Sequence, residues 1–291
     1  MDELENRGGM IISIGEVVWD VFPDREVLGG APVNVAYHLR CLGEEVRVVT
    51  RVGPDSLGRI TLERLESLGL DLSCVQRDEA LPTGRVNITL DVRNEPCFDI
   101  VAPAAWDGID RLEALACVGD RPFDLVFGTL AQRDQRSREA VRALCDRAAT
   151  CYYDVNLRPP FTTRDLVLES FEAADIVKMN GDELIRLGRW CAIDKSSGRD
   201  IAETFLSRYA FKVVVVTEGE DGSWLVTKDG YFFEPVKPVN VTDPVGAGDA
   251  FFAAFISGSL AKRDPNEILS AANGRGAYVA SRPGATPEMN D

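Results

Sequence analysis

Two patterns of apolar and polar positions alternate along this chain. Short runs that are apolar at nearly every position, such as Met10-Ile11-Ile12-Ser13-Ile14 and Val213-Val214-Val215-Val216, give way to longer stretches with apolar residues three and four positions apart. A short run that is apolar throughout reads as a strand covered on both faces, and the 3.6-residue period reads as a helix with one buried stripe. Strands are predicted on this basis at 10–14, 46–50, 125–127, 151–155, 176–179 and 212–217. Helices are predicted at 31–42, 56–68, 133–148, 164–174, 182–187 and 201–209. A last helix starts at Asp264 as N-cap, with Pro265 in its first turn and Glu267 placed to complete a capping box. Strands alternating with helices imply an α/β fold, a mainly parallel central sheet with helices layered on its faces.

Segments 16–30 and 84–102 break the alternation. Arg85-Val86-Asn87-Ile88-Thr89-Leu90-Asp91-Val92 has period two, so these segments read as short strands joined by turns. They form either a small β lid over the crevice at the strand ends, where ligands of open α/β sheets dock, or a decorative hairpin insertion. A lid there would keep water from a reacting group. The domain reading is a main domain of 1–15, 31–83 and 103–291 with a lid of 16–30 and 84–102. Open strand edges on the lid also suit pairing with a second copy, giving a homodimer.

Composition narrows the function. At 291 residues and 45% hydrophobic content, the chain can bury one large core. Its net charge of −15 argues against nucleic acid or an anionic membrane as partner, since both need a basic face. An anionic ligand must therefore be held by local dipoles, an arginine or a divalent cation. The seven cysteines are odd in number, scattered and without a CxxC pair, which predicts neither a disulfide framework nor a zinc site and points to a reducing cytosol. The polar stretch 1–9 and the lack of any spanning run point to a soluble, cytoplasmic protein. His38 is the single histidine, so Ser/His/Asp and Cys/His chemistry are excluded and a structural role is expected for it.

The candidate chemistry is concentrated in a few segments. Asp243-Pro244-Val245-Gly246-Ala247-Gly248-Asp249 runs directly into the apolar Ala250-Phe251-Phe252-Ala253-Ala254-Phe255. Small residues at a helix start leave consecutive N–H groups free to converge on an anion, helped by the helix dipole. Asp249 in that turn is either an ordinary cap or a base that takes a proton from a hydroxyl about to receive a phosphoryl group. Gly29 and Gly30 let a polar ligand approach the backbone, Asn34 offers a donor and an acceptor, and Asp20 can accept from two hydroxyls. A turn and a helix start account for the glycines equally well. Asp154, Asn156 and Arg158 end one strand with acid, amide and guanidinium, and Asn180 and Glu183 follow the next. Small residues at helical spacing from 271 to 277 suit either tight helix packing or a flat ring, with Asn273 as the adenine-pocket candidate. No Gly-x-Gly-x-x-Gly follows the first strand, which excludes a nicotinamide-dependent dehydrogenase.

Taken in order over 10–285, these elements resemble the ribokinase-like (PfkB) carbohydrate kinases. The likeness is greatest to bacterial fructokinase-type members, through Gly15-Glu16-Val17-Val18-Trp19-Asp20, Gly29-Gly30-Ala31-Pro32 and Ala105-Trp106-Asp107. The 243–249 segment is similar to the family's Asp-Thr-x-Gly-Ala-Gly-Asp, with Pro244 in the threonine place, which removes one N–H and one hydroxyl. The resemblance implies a three-layer fold with a β lid and ATP-dependent transfer of the γ-phosphoryl group to a sugar, fructose or a related ketose. It makes Asp249 the base, Gly246, Ala247 and Gly248 the anion hole, and Asp20, Gly29, Gly30 and Asn34 the sugar contacts. Arg158 then meets a nucleotide phosphate or a substrate carboxylate. Asn180 and Glu183 organise Mg²⁺ partly through water, with helix capping as the rival use of Asn180. Thr217, Gly219 and Gly222 face the nucleotide, and Asp243, Val245, Arg282 and Gly284 match a loop that holds a monovalent cation such as K⁺ in some relatives. The alternative substrates are 2-keto-3-deoxygluconate, a pentose or a nucleoside. The alternative of another class is a non-catalytic sugar- or nucleotide-binding sensor.

Overall fold

Each apolar run becomes a strand because its alternate residues enter two different cores. The computed structural model describes residues 9–22, 25–90, 96–195 and 197–289, without the side chains of Leu90, Pro96 and Cys97. The polar start at 1–9, apart from Gly9, and Asp91 and Val92 of the period-two stretch lie outside the described residues. In β1 (Met10–Ile14), Met10, Ile12 and Ile14 join one apolar cluster while Ile11 joins another. The same split recurs in β8 (Phe123–Gly128), where Leu125 and Phe127 face one way and Val126 the other.

The remaining strands of this sheet are β4 (Val46–Val52), β5 (Val75–Arg77), β9 (Cys151–Asp154), β10 (Ile176–Asn180), β11 (Val213–Thr217), β12 (Ser223–Thr227) and β13 (Gly230–Glu234). Their order is β13-β12-β11-β10-β9-β8-β1-β4-β5, parallel except for the edge hairpin β12–β13. Over one face lie α3 (Arg111–Val118), α4 (Gln135–Cys145), α5 (Arg164–Ala173), α6 (Gly181–Trp190) and α7 (Gly198–Arg208). The other face carries α1 (Ala31–Cys41), α2 (Ser56–Ser67), α8 (Ala247–Leu260) and α9 (Pro265–Ala280). The three-layer α/β fold expected from the sequence is the one observed. Helix α8 is buried continuously from Ala250 to Ile256, because α1 and α9 cover the sides that the sheet does not. Among the described residues no helix is long and apolar enough to cross a membrane.

A second sheet, ordered β3-β2-β6-β7, comes from the two segments that broke the alternation: β2 (Val18–Val21), β3 (Glu26–Gly29), β6 (Gly84–Leu90) and β7 (Pro96–Ile100). Val18, Val86, Ile88 and Ile100 pack on Trp106 and Leu130 of the main body. At its root the Arg133 guanidinium lies 3.9 Å from the Trp106 ring and 4.6 Å from that of Phe161. Arg133 Nε and Nη2 donate to Asp107 Oδ1 and Oδ2 at 2.7 and 2.8 Å, and Nη2 also donates to the Val101 carbonyl. Both charged side chains are buried. Arg133→Ala would strand the Asp107 carboxylate, so chemical denaturation should show a loss of about 3–5 kcal/mol. A loss below 1 kcal/mol would contradict this account.

Three local expectations are corrected. Cys74 and Cys117 form a disulfide with Cα atoms 5.4 Å apart, against the expectation of none. The pairing joins positions 43 residues apart that only the adjacency of β5 and the end of α3 brings together. Asp264 caps α9 through the Asn266 N–H, and the reciprocal bond expected of Glu267 is not formed among the described contacts. Helix α4 starts two residues later than predicted, because Asp134 caps it by accepting from Arg136 N–H.

Candidate active site

The carboxyl ends of the parallel strands open on one edge of the sheet, and the start of α8 faces them. Gly246 holds the turn before α8 in the left-handed region at φ 78°, and a Cβ there would lie 2.6 Å from Ala285 Cα. Asp249 stands in the first helical turn, where its Oδ2 accepts a 2.8 Å hydrogen bond from Asn34 Nδ2 across from α1. Burial pushes the Asp249 carboxyl above its ordinary range, while the Asn34 bond and the Lys178 and Arg158 charges oppose that rise. No ion pair engages Asp249 among the described contacts, so the carboxylate remains open to a hydroxyl. The Ala247 N–H, expected to join the anion hole, is taken up by the Pro244 carbonyl at 3.3 Å. Of the expected hole this leaves the N–H groups of Gly246 and Gly248 as candidates, with that of Asp249 next in the turn.

The sugar-side residues converge on the same spot. Asn34 is buried, and its Oδ1 has no hydrogen-bond partner among the described residues. A Cβ on Gly29 would lie 3.1 Å from Asp20 Oδ2, and one on Gly30, at φ 114°, would lie 2.5 Å from the Glu16 carbonyl. Burial pushes the Asp20 carboxyl up to about 6, against the pull of Arg158. Arg158 is exposed, and among the described residues its guanidinium donates to the neighbouring Leu157 carbonyl at 3.1 Å. Beneath these groups lies a cavity of about 20 Å³, lined in part by Ser13, Glu16, Thr129, Asp154 and Asn156, with room for one water.

A model of the pfkB family carbohydrate kinase matches residues 13–291. The chain belongs to this family. Among similar proteins, "ATP-dependent ribose-1-phosphate kinase" of Halopiger xanaduensis is 30% identical, over 94% of this chain and 93% of its own. "Fructokinase-2" of rice is 26% identical over 96% and 90%. A fructokinase double mutant from Vibrio cholerae O395, solved with fructose, ADP and a potassium ion, superposes with a TM-score of 0.84 at 23% identity, covering 97% of this chain and 95% of that one. At that identity the superposition speaks for the fold alone.

The nucleotide side of this pfkB kinase departs from several expectations. Asn180 Oδ1 accepts from Glu183 N–H, and Glu183 Oε2 accepts from Asn180 N–H, a reciprocal cap of α6. The other Glu183 oxygen accepts from Leu157 N–H. The rival use of Asn180 is thus realised, and only spare lone pairs and the Asn180 amide remain for a metal's waters. The Asn273 amide donates to the Glu234 carbonyl and accepts from Ser223 Oγ, fastening α9 to the edge hairpin, a use the sequence reading did not foresee. Gly276 lies against the Ala247 carbonyl, so the small-residue stripe serves helix packing. Gly222 is required by the hairpin, since at φ 116° a Cβ would collide with the Glu234 carbonyl. Thr217 ends β11 and Gly219, at φ 58°, faces open space. Asp243 accepts from the Val245 N–H within the turn at 3.0 Å and from the Gly284 N–H at 3.1 Å, which ties the turn to the closing loop, and Arg282 stacks on Tyr278 of α9. His38 is structural as expected. Its Nε2 meets the Ala285 carbonyl at 2.9 Å, and burial lowers its pKa to about 4.

Two charged residues, Glu16 and Lys178, escaped the sequence reading as site groups, and Asp154 stood there only as a strand-end acid. Glu16, Asp154 and Lys178 all face Asp249 electrostatically. The signal was present in the strand pattern: a lysine and an aspartate interrupt runs that are otherwise buried and apolar. Burial pushes the Glu16 carboxyl from 4.5 to about 7, and its Oε2 has no hydrogen-bond partner among the described residues. A raised carboxyl pKa stabilises the fold fully below about 4.5 and loses that contribution as pH rises through about 7. Glu16→Gln should therefore gain roughly 3 kcal/mol over the wild type between pH 4.5 and 8. Urea unfolding of both proteins at the two pH values checks this, and a constant difference would contradict it.

Proposed function

We propose that this kinase transfers the γ-phosphoryl group of ATP to a hydroxyl of fructose or a related ketose. The observation that carries the reading is the Asp249–Asn34 pair set against the Gly246 turn, a base and a sugar-binding amide at one helix mouth. The sugar hydroxyl lies against Asp249, held by Asn34, Asp20 and the backbone at Gly29 and Gly30. Asp249 takes the proton as the phosphoryl group arrives, and the N–H groups of Gly246, Gly248 and Asp249 receive the developing charge. No group of three or more His, Cys, Asp or Glu able to hold a metal occurs among the described residues. Asn180 and Glu183 would hold Mg²⁺ through water, since this ion keeps several waters when it binds beside phosphates. Mg²⁺ neutralises phosphate charge when bound. Asp243, Val245, Arg282 and Gly284 are the proposed surroundings of a K⁺ ion. The second sheet serves as the lid over the sugar and as the surface for a homodimer, and dependence on ATP favours a cytoplasmic location.

A carboxylate-rich sugar side, with Glu16, Asp20 and Asp249, favours a neutral sugar. The exposed Arg158 guanidinium, which forms no ion pair among the described residues, favours a second reading, an anionic sugar such as ribose 1-phosphate or 2-keto-3-deoxygluconate. Coupled ADP release with Mg²⁺-ATP over fructose, pentoses, ribose 1-phosphate, 2-keto-3-deoxygluconate and nucleosides separates them. The expected result is the highest kcat/KM for fructose. A preference for an anionic sugar that Arg158→Gln abolishes would establish the second reading, and no turnover with any acceptor would leave the non-catalytic sensor.

A further inference from the structure

Lys178 is the one charged residue in the apolar strand β10, and it is buried. Parallel pairing sets it directly opposite Asp154 on β9, and its Nζ lies 3.0 and 3.1 Å from the two Asp154 oxygens. Packing does not explain the pair, because a buried ion pair is commonly no more stable than an apolar pair of similar volume. Its position does offer an explanation. A Cβ on Gly248 would lie 3.3 Å from Nζ, so the ammonium presses against the first turn of α8, where only the Ala247 N–H is already engaged among the described loop contacts. An ammonium carries three donors, and two of them serve Asp154. The third is left on the side of the anion hole.

We propose that Lys178 binds the γ-phosphoryl group in transit, donating from Nζ to one of its non-bridging oxygens, with Asp154 fixing the ammonium at the Gly248 turn. The proposal rests on the kinase reading above and adds a catalytic cation that the sequence motifs do not assign. In the step, the sugar hydroxyl proton passes to Asp249 and the sugar oxygen bonds to the γ-phosphorus. The bridging oxygen leaves with its electron pair on ADP. Lys178 keeps its protons throughout and balances negative charge that a loose transition state spreads over the phosphoryl oxygens. Because Nζ meets these oxygens only as the group passes the Gly248 turn, the loss on removing Lys178 falls on kcat more than on nucleotide binding.

The test compares the wild type with Lys178→Met, Asp154→Asn and the double variant Asp154→Asn/Lys178→Met. The double variant leaves no unpaired buried charge, so it stays interpretable where Lys178→Met alone fails to fold. The readouts are kcat with saturating fructose and Mg²⁺-ATP, the Kd for Mg²⁺-ADP, and the Kd for Mg²⁺-ADP with aluminium fluoride and fructose, which mimics the group in transit. The expected result is a ~10²–10³-fold fall in kcat in the double variant. Its Kd for Mg²⁺-ADP should stay within threefold of wild type, and the tightening by aluminium fluoride should vanish. If Lys178 serves only to neutralise Asp154, the double variant recovers kcat to within fivefold of wild type and keeps the tightening, which overturns the proposal. A wild type that turns over no sugar removes the kinase reading, and this proposal falls with it.

Discussion

Replacing Asp249 with asparagine is expected to lower kcat by ~10²–10⁴, the range for loss of a positioned base, with nucleotide affinity largely kept. The substitution preserves shape, and an asparagine oxygen can still accept from Asn34 Nδ2, which reaches the native Oδ2 at 2.8 Å. What is lost is the ability to take a proton from the sugar hydroxyl. Stability supplies an independent control. Burial holds the Asp249 carboxyl above its ordinary range, so its charge is a burden on the fold at neutral pH, and the neutral variant should melt no lower than wild type. Steady-state rates, calorimetric ADP binding and a thermal melt together decide the matter. A kcat within tenfold of wild type would remove Asp249 from the reaction.

The second large effect is expected at Gly246, where a valine should damage catalysis and folding together. Its φ of 78° is strained for any residue with a Cβ and most for a β-branched one, at a cost of about 1–3 kcal/mol. The added Cβ would also meet Ala285, whose backbone carbonyl is held by His38 on α1. Either the closing loop moves or the turn does, and both outcomes misalign the N–H groups at the mouth of α8. Losing one such donor lowers kcat by ~10²–10³. Gly119→Ala provides the contrast, with a similar φ of 67° but open space around the new Cβ and no part in the site. It should cost stability alone. Equal kcat losses in the two variants would show that the anion hole plays no special part.

Much of the architecture was legible because burial imposes a local signature. The run at β1 is apolar at nearly every position since both faces of the sheet are covered, and the period-two stretch after Gly84 marks a sheet covered on one face. The edge hairpin β12–β13 and the short helix α3 were not foreseen. The pattern there is weak: β13 is largely exposed, and only Ala114 and Val118 of α3 are buried. Within the site, Asp249, Asn34 and the paired glycines were found where small and polar residues stand beside an apolar helix. The two partners of the Asn273 amide, Ser223 and Glu234, were not legible because nothing near it in sequence marks them.

The amino-acid order by itself determined the layered fold, the helix mouth with its carboxylate and the family likeness, all of which depend on residue type and spacing over a few turns. Tertiary structure alone decided which polar groups are already engaged. It spent Asn180 and Glu183 on a helix cap, paired Cys74 with Cys117, and set Lys178 against both Asp154 and the Gly248 turn. The reason is physical: a buried polar group takes whatever partner the fold brings within about 3 Å, and that partner is commonly far away in sequence.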